Sequence, residues 1–223
     1  MSRATTGEAP KTRILLVDDH PIVRIGLTEL INQKRDMVVC GEAESTEAAL
    51  QAIPALHPDL VIADLSLQGT GGLGLIKDLK IRHPKLPVLV LSMHEESLYA
   101  ERVLRAGARG YIMKREARTQ LEIAIRRTVG GKIYLSKRMS EQLLELVTGS
   151  VQAKKGPLLD RLSDRELEVF EMIGRGKGTS EIAKLLHLSV KTIEGYRANI
   201  KSKLGLKSAL ELVRHALQCS PKT

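Results

Sequence analysis

RILLVDD, residues 13–19, carries the unbroken apolar run ILLV into two aspartates, and three further runs repeat the plan. DLVIA (59–63) leads into Asp64, VLVL (88–91) into Ser92, and GYIM (110–113) into Lys114. Apolar runs without polar alternation fit strands buried on both faces, as in a parallel sheet covered by helices. If all four are parallel, their C-terminal ends line one edge of the sheet, the edge at which open α/β sheets bind ligands. Asp18, Asp19, Asp64, Ser92 and Lys114 would then face one another.

Outward from these runs, strands and helices alternate between Thr12 and about Val129. The strands are predicted at 13–17, 37–42, 59–63, 87–91 and 110–113, the helices at 21–33, 45–55, 72–83, 97–106 and 117–129. The first helix carries Ile22, Ile25, Gly26 and Leu30 at three- and four-residue spacing, and Ser45 with Glu47 starts the second. Residues 12–130 thus read as one doubly wound α/β domain with a five-stranded parallel sheet. Residues 131–158 join it to a second domain through an amphipathic helix over Ser136–Val147 and the Gly-, Pro- and Lys-containing linker GSVQAKKGP (149–157). Residues 159–223 show helical stretches at Asp164–Ile173, Ser180–Leu186, Val190–Leu204 and Ser208–Gln218 with no strand between them, a small all-α domain.

MSRATTGEAPK (1–11) lacks the apolar core of a signal peptide and reads as a disordered lead-in. No run of 18 or more apolar residues is present, which argues against a membrane span. The two cysteines, Cys40 and Cys219, lie far apart; they suit a reducing cytoplasm and form neither a metal motif nor a disulfide framework. Aromatic residues make up 2% of the chain, so the core is aliphatic. The net charge of +9 suits a polyanionic partner. Lys191, Arg197, Lys201, Lys203 and Lys207 cluster near one another, opposed by Glu194. Taken alone, a solvated helix face accounts for such a run.

Carboxylates a few Å apart repel by about 4 kcal/mol per pair at an effective dielectric of about 20, so such a cluster needs a cation or a protonated member. Oxygen-only ligands at this density suit Mg²⁺. Asp64 is placed to accept a phosphoryl group, Lys114 and the metal to neutralise its oxygens, and Ser92 to hydrogen-bond the product. The bland alternative is that each strand-end aspartate caps the helix after it. Gly69-Thr70-Gly71-Gly72-Leu73-Gly74 matches the letter pattern of a dinucleotide fingerprint. Five residues separate it from the strand, however, and Asp64 would repel a pyrophosphate there. No phosphate-cradling G-x-x-x-x-G-K-[ST] loop exists, and Asp18-Asp19-His20 is not the Asp-x-Asp of an aspartyl phosphatase.

VDDHPIVRIGL, the strand-end Asp64, LSMH and AGARGYIMK closely resemble the receiver domain of two-component response regulators of the NarL/FixJ family, across nearly all of 12–130. The resemblance implies a flavodoxin-like fold and phosphorylation of Asp64 by a sensor histidine kinase. It also implies that Asp18 and Asp19, with Asp64, hold Mg²⁺, and that Lys114 binds the phosphoryl group. A further implication is a switch in which Ser92 moves toward the phosphate and Tyr111 rotates inward behind it. Ser66 and His94 fall at positions that in receivers face the attacking water, with His94 expected as an exposed loop histidine. This chain departs from the family in having Gln68 in place of a proline and Gly72-Leu73-Gly74 in place of Gly-Leu-Glu. A more mobile loop is the expected consequence.

In the C-terminal part, Ser163 and Glu166 form a capping-box pattern. A short helix carrying Ile182, Leu185 and Leu186 inward, a tight turn and a basic helix capped by Ser189 make up the helix-turn-helix plan. Val190, Ile193, Ile200 and Leu204 fall near one face of that second helix. LSDRELEV, GKGTSEIAKLLHLSVKTIE and the spacing to KLGLKS resemble the LuxR-type helix-turn-helix over 159–218. This context turns the basic run toward double-stranded DNA. Lys177, Lys191, Thr192, Arg197, Lys201 and Lys203 are expected at phosphates, and Glu194, Gly195 and Ala198 at bases, with Thr179 nearby. Glu194 and Tyr196 stand where the family often has lysine and histidine. Leu210, Val213, Ala216 and Leu217 offer a dimer face, or pack the domain's core. The expected function is that of a cytoplasmic transcription regulator, not an enzyme, which binds DNA as a phosphorylation-controlled homodimer. The alternative is a DNA-binding regulator whose receiver serves only as a dimerisation or partner-binding scaffold.

Overall fold

The computed structural model describes residues 10–67, 71–148, 159 and 161–219. The expected lead-in up to residue 9, Gln68 to Thr70 and the 149–157 linker lie outside the described residues. The chain divides into two compact units, Met1–Leu144 and Glu145–Thr223.

In the first unit, β1 (Thr12–Val17), α1 (Pro21–Asn32), β2 (Met37–Ala43), α2 (Thr46–Leu56), β3 (Leu60–Ala63), α3 (Gly71–Arg82), β4 (Val88–Ser92), α4 (Glu96–Ala106), β5 (Gly110–Met113) and α5 (Ala117–Val129) alternate strictly. All pairings are parallel, in the order β2-β1-β3-β4-β5. Strand order reverses between β1 and β3, which places the crevice at their C-terminal ends. Every residue of β3, β4 and β5 is buried, as is β1 from Ile14 onward, because helices cover both faces. The edge strand β2 is mostly half-buried. Ile14, Leu16, Ile62, Leu89, Leu91 and Ile112 meet Leu27, Ile31, Leu121 and Ile125 in one aliphatic core. Each such side chain contributes about 1.5–3 kcal/mol on burial.

Local signals set the helix ends. The Ser45 hydroxyl accepts from the Ala48 N–H at the start of α2, which closes on left-handed His57 just before Pro58. The face of α1 differs from expectation. Ile22 and Ile25 are 85% and 65% exposed, Gly26 is exposed too, and Leu27 and Ile31 point inward with Val23 packed beside them. Both sets have helical spacing, so periodicity alone leaves the phase open. The helix start at Pro21, directly after the Asp18–His20 turn, settles it.

After α5 comes α6 (Lys137–Thr148), which spans the division between the units. In the second unit, α7 (Asp164–Gly174) packs against α9 (Val190–Leu204) and α10 (Ala209–Cys219), and α8 (Thr179–Leu185) packs against α9. Ile182 and Ala183 are buried in α8 while Leu185, expected inward, is 54% exposed. On α9, Ile193, Ile200 and Leu204 form the buried stripe, and Val190 in the first turn stays partly open. The expected α10 face splits: Ala216 packs inward and Val213 is half-buried, whereas Leu210 and Leu217 are exposed and Leu212, not expected there, is buried. No helix among the described residues is long and apolar enough to cross a membrane.

The capping box forms as expected. Ser163 accepts from the Glu166 N–H, and the buried Glu166 carboxylate accepts from the Ser163 N–H at 2.7 Å. That carboxylate also meets Lys203 Nζ of α9 at 2.5 Å, which ties α7 to α9. Burial alone would raise the Glu166 pKa, but Lys203 and the Ser163 cap outweigh it and hold the group below its ordinary 4.5. A depressed carboxyl contributes stability that is present above 4.5 and lost as pH falls through its folded value. Acid unfolding of the second unit is therefore expected to steepen below that pH. Glu166→Gln should remove part of the acid dependence and cost about 1–3 kcal/mol at neutral pH, as for a hydrogen bond to a charged group. Thermal unfolding followed across pH 3 to 7 (approximately the span in which carboxylates titrate) checks this.

Candidate functional site

Asp18 and Asp19 come directly after β1, Asp64 after β3 and Lys114 after β5, while Ser92 ends β4, so topology alone brings these residues to one edge. Lys114 Nζ lies 2.6 Å from Asp18 Oδ2 and 2.8 Å from Asp64 Oδ2, and its side chain is 11% exposed. Asp18, Asp19, His20 and Asp64 each offer a ligand atom within 4.8 Å of the others. His20 Nδ1 sits 2.7 Å from Asp19 Oδ1 without hydrogen-bond alignment and 3.3 Å from Asp18 Oδ1. His20 is not among the site residues expected from sequence; its place directly after the aspartate pair is the available signal.

The electrostatics are unbalanced. Three carboxylates crowd one ammonium, and Asp64 Oδ1 is buried with no hydrogen-bond partner. Burial pushes the Asp64 pKa up, Lys114 opposes that, and Asp18 adds to it. For Lys114, burial pulls the pKa down, but Asp64 and Asp18 outweigh it and raise the group above its ordinary value. An orphaned anionic oxygen beside hard oxygen donors fits a small divalent cation such as Mg²⁺.

Ser92 is fully buried, and its Oγ accepts from the His94 N–H at 3.2 Å. The Tyr111 ring is also buried, and its hydroxyl donates to the His94 carbonyl at 2.7 Å. His94 is not the exposed loop residue expected from sequence: it is 7% exposed. Its Nε2 lies 3.0 Å from Ser66 Oγ, and its ring packs 4.7 Å from Tyr99. Tertiary contacts from three elements bury it, and none of them is written in the local sequence.

The glycines after Asp64 have a packing role. A Cβ on Gly72 would lie 1.9 Å from the Asp64 carbonyl oxygen and 2.7 Å from Leu65 Cα, and the Gly72 N–H donates to the Leu65 carbonyl. Gly71 holds φ +74°. They seat the start of α3 against the end of β3.

In the second unit α8, a turn through left-handed His187, and α9 form the helix-turn-helix. Lys191, Glu194, Gly195 and Ala198 are exposed on one face of α9, opposite the Ile193–Ile200–Leu204 stripe. Thr192 is exposed, with Oγ1 2.8 Å from the capping Ser189 Oγ. Arg197 and Lys201 are half-buried at the margins. Two expected phosphate contacts are engaged within the domain: Lys203 with Glu166, and Lys177 with Glu181. Thr179 opens α8, half-buried.

This strand-edge cluster and helix-turn-helix define a class, and comparison with known proteins agrees. The chain matches the response regulator receiver domain over residues 14–126 and the luxR family of bacterial regulatory proteins over residues 160–216. It belongs to the two-component response regulators with a LuxR-type DNA-binding domain. Among its relatives, the oxygen regulatory protein NreC of Staphylococcus aureus is 39% identical over 211 residues, covering 92% of this chain and 97% of NreC. The RcsB response regulator of Salmonella typhimurium is 29% identical, with a TM-score of 0.66 over 96% of this chain and all of that one. RcsB bound to the rprA promoter in the presence of phosphomimetic BeF3⁻ gives a TM-score of 0.62 at 29% identity, over 93% of this chain and 98% of that one.

Gly72→Ala is expected to destabilise the receiver by about 2 kcal/mol or more, since backbone rather than a flexible side chain must yield. Chemical unfolding of the full-length protein, read by a receiver-specific probe, checks it; an unchanged midpoint would contradict the packing role.

Proposed function

We propose that this protein regulates transcription through phosphorylation of Asp64. The observation that carries the reading is the Lys114 ammonium, held between the buried carboxylates of Asp18 and Asp64 at the sheet edge. An Asp64 carboxylate oxygen attacks the phosphorus of a kinase phosphohistidine. The P–N bond breaks, the leaving imidazole takes up a proton, and an acyl phosphate forms on Asp64. Asp18, Asp19 and Asp64 would hold Mg²⁺, whose charge stabilises phosphoryl oxygens when it is bound. Lys114 neutralises a further oxygen of the new group. The unpaired Asp64 Oδ1 and the raised Asp64 pKa support a site built around more negative charge than its own ammonium balances.

The acyl phosphate carries roughly two negative charges where the carboxylate carried one, and the Ser92 hydroxyl reorients toward it. Because Ser92 and Tyr111 both bond the backbone of His94, a shift of Ser92 reaches Tyr111 through that one residue. The output is sequence-specific binding of a homodimer to double-stranded DNA. Lys191, Thr192, Arg197 and Lys201 are placed for phosphates, and Glu194, Gly195 and Ala198 for base edges. Lys177, Thr179 and Lys203 flank this surface, and the two lysines reach DNA only by leaving their glutamate partners. Structures of RcsB with DNA and of RcsB dimers on DNA support this mode of output. A histidine kinase supplies the phosphoryl group, and a cytoplasmic location accords with that role.

DNA affinity measured at fixed salt should rise when acetyl phosphate and Mg²⁺ are added to the wild type and stay unchanged for Asp64→Asn. Equal affinities for the wild type with and without the phosphodonor would contradict the switch.

A further inference from the structure

Beyond α5 the chain turns at Gly130 and Gly131 and runs back along the outer edge of β5. Tyr134 pairs there as a parallel bridge to Gly110. Its N–H donates to the Arg109 carbonyl at 3.0 Å, and its carbonyl accepts from the Tyr111 N–H at 2.9 Å. A Cβ on Gly110 would stand 3.0 Å from the Tyr134 carbonyl oxygen, so a glycine here permits the close approach. The Tyr134 hydroxyl donates to Gln120 Oε1 of α5 at 3.0 Å.

Two residues on, the Ser136 N–H donates to Glu96 Oε1 at 2.9 Å. Glu96 is the first residue of α4. Ser136 is itself the N-cap of α6, since its Oγ accepts from the Met139 N–H and its carbonyl from the Ser140 N–H. The start of α6 is therefore fastened to the first residue of α4, and the segment before it to the backbone of Tyr111. Tyr111 is held from both sides: its hydroxyl bonds the loop before α4, and its amide bonds the segment that leads into α6.

We propose that Glu96 and Tyr134 are positioning residues that pass the state of the phosphorylation site to the start of α6, and hence along the chain toward the DNA-binding unit. Covering an exposed strand edge would by itself explain the Tyr134 pairing. It does not explain why a side chain of α4 reaches across to the cap of the next helix. When the His94 loop and Tyr111 shift together, α4 and β5 carry Ser136 and Tyr134 with them. Breaking the Glu96 bond should leave the chemistry at Asp64 intact and uncouple it from the output.

The test uses the full-length protein and a DNA fragment recovered by selection from a random pool. Affinity is measured at fixed salt with and without BeF3⁻ and Mg²⁺, together with amide hydrogen exchange at Tyr111 and Tyr134. Wild type, Glu96→Ala and Glu96→Gln are compared, because glutamine keeps an acceptor oxygen for the Ser136 N–H. BeF3⁻ is expected to alter protection at both amides together in the wild type. Glu96→Ala should shrink the BeF3⁻ enhancement of DNA affinity by about five-fold or more, the lower end of ordinary allosteric coupling. Glu96→Gln should restore it, and both variants should accept phosphate from acetyl phosphate at the wild-type rate. Wild-type enhancement in Glu96→Ala overturns the proposal. So does a variant whose melting temperature and phosphorylation fall along with its DNA affinity, the mark of a merely structural role. The proposal rests on the phosphorylation switch; a wild type without any BeF3⁻ enhancement overturns that switch and the proposal with it.

Discussion

One buried ammonium serving two buried carboxylates is the constraint on which the receiver depends. Lys114 reaches Asp18 and Asp64 from the end of β5, and removing it would strand two anions in a region with little water. Even with Lys114 in place the charges do not balance, because Asp19 stands beside them and Asp64 keeps one oxygen without a partner. Stability alone would favour replacing such a cluster with apolar side chains. Its presence supports the proposed site for a cation and a phosphoryl group.

The fold supplies the position and the rigidity. Parallel order places the ends of β1, β3, β4 and β5 along one edge, and fully buried strands hold them there. Gly72 lets α3 start against the Asp64 carbonyl. His94 then joins the parts: Ser66 meets its ring, Ser92 its amide and Tyr111 its carbonyl. A change at this strand edge can hardly move one of these residues without the others. In the second unit the Glu166–Lys203 pair does comparable work, fixing the exposed face of α9 relative to α7.

Much of this is legible in the sequence, and the reasons differ from residue to residue. The strand ends at Asp18, Asp64, Ser92 and Lys114 can be read because buried parallel strands are short apolar runs and the residue after each run must lie at the edge. The capping box at Ser163 and Glu166 is legible because its bonds are local. The phase of α1 is not, since the set of Ile22, Ile25 and Leu30 and the set of Val23, Leu27 and Ile31 both have helical spacing. Leu185 misleads for the same reason. His94 defies local reading because its burial comes from Ser66, Tyr99 and Tyr111, each distant along the chain or on another element. The pairing of Tyr134 with β5 is hard to read because it is made by backbone groups, which every residue carries, and Gly110 opposite it does not name its partner.

The measurement that bears most directly on the central claim is the site and stoichiometry of phosphate after incubation with acetyl phosphate and Mg²⁺. Intact-mass analysis should find one phosphoryl group per chain, labile to hydroxylamine as an acyl phosphate is, and peptide mapping should place it on Asp64. A phosphoryl group on any other residue, or none on a protein that is folded and binds Mg²⁺, would contradict the account.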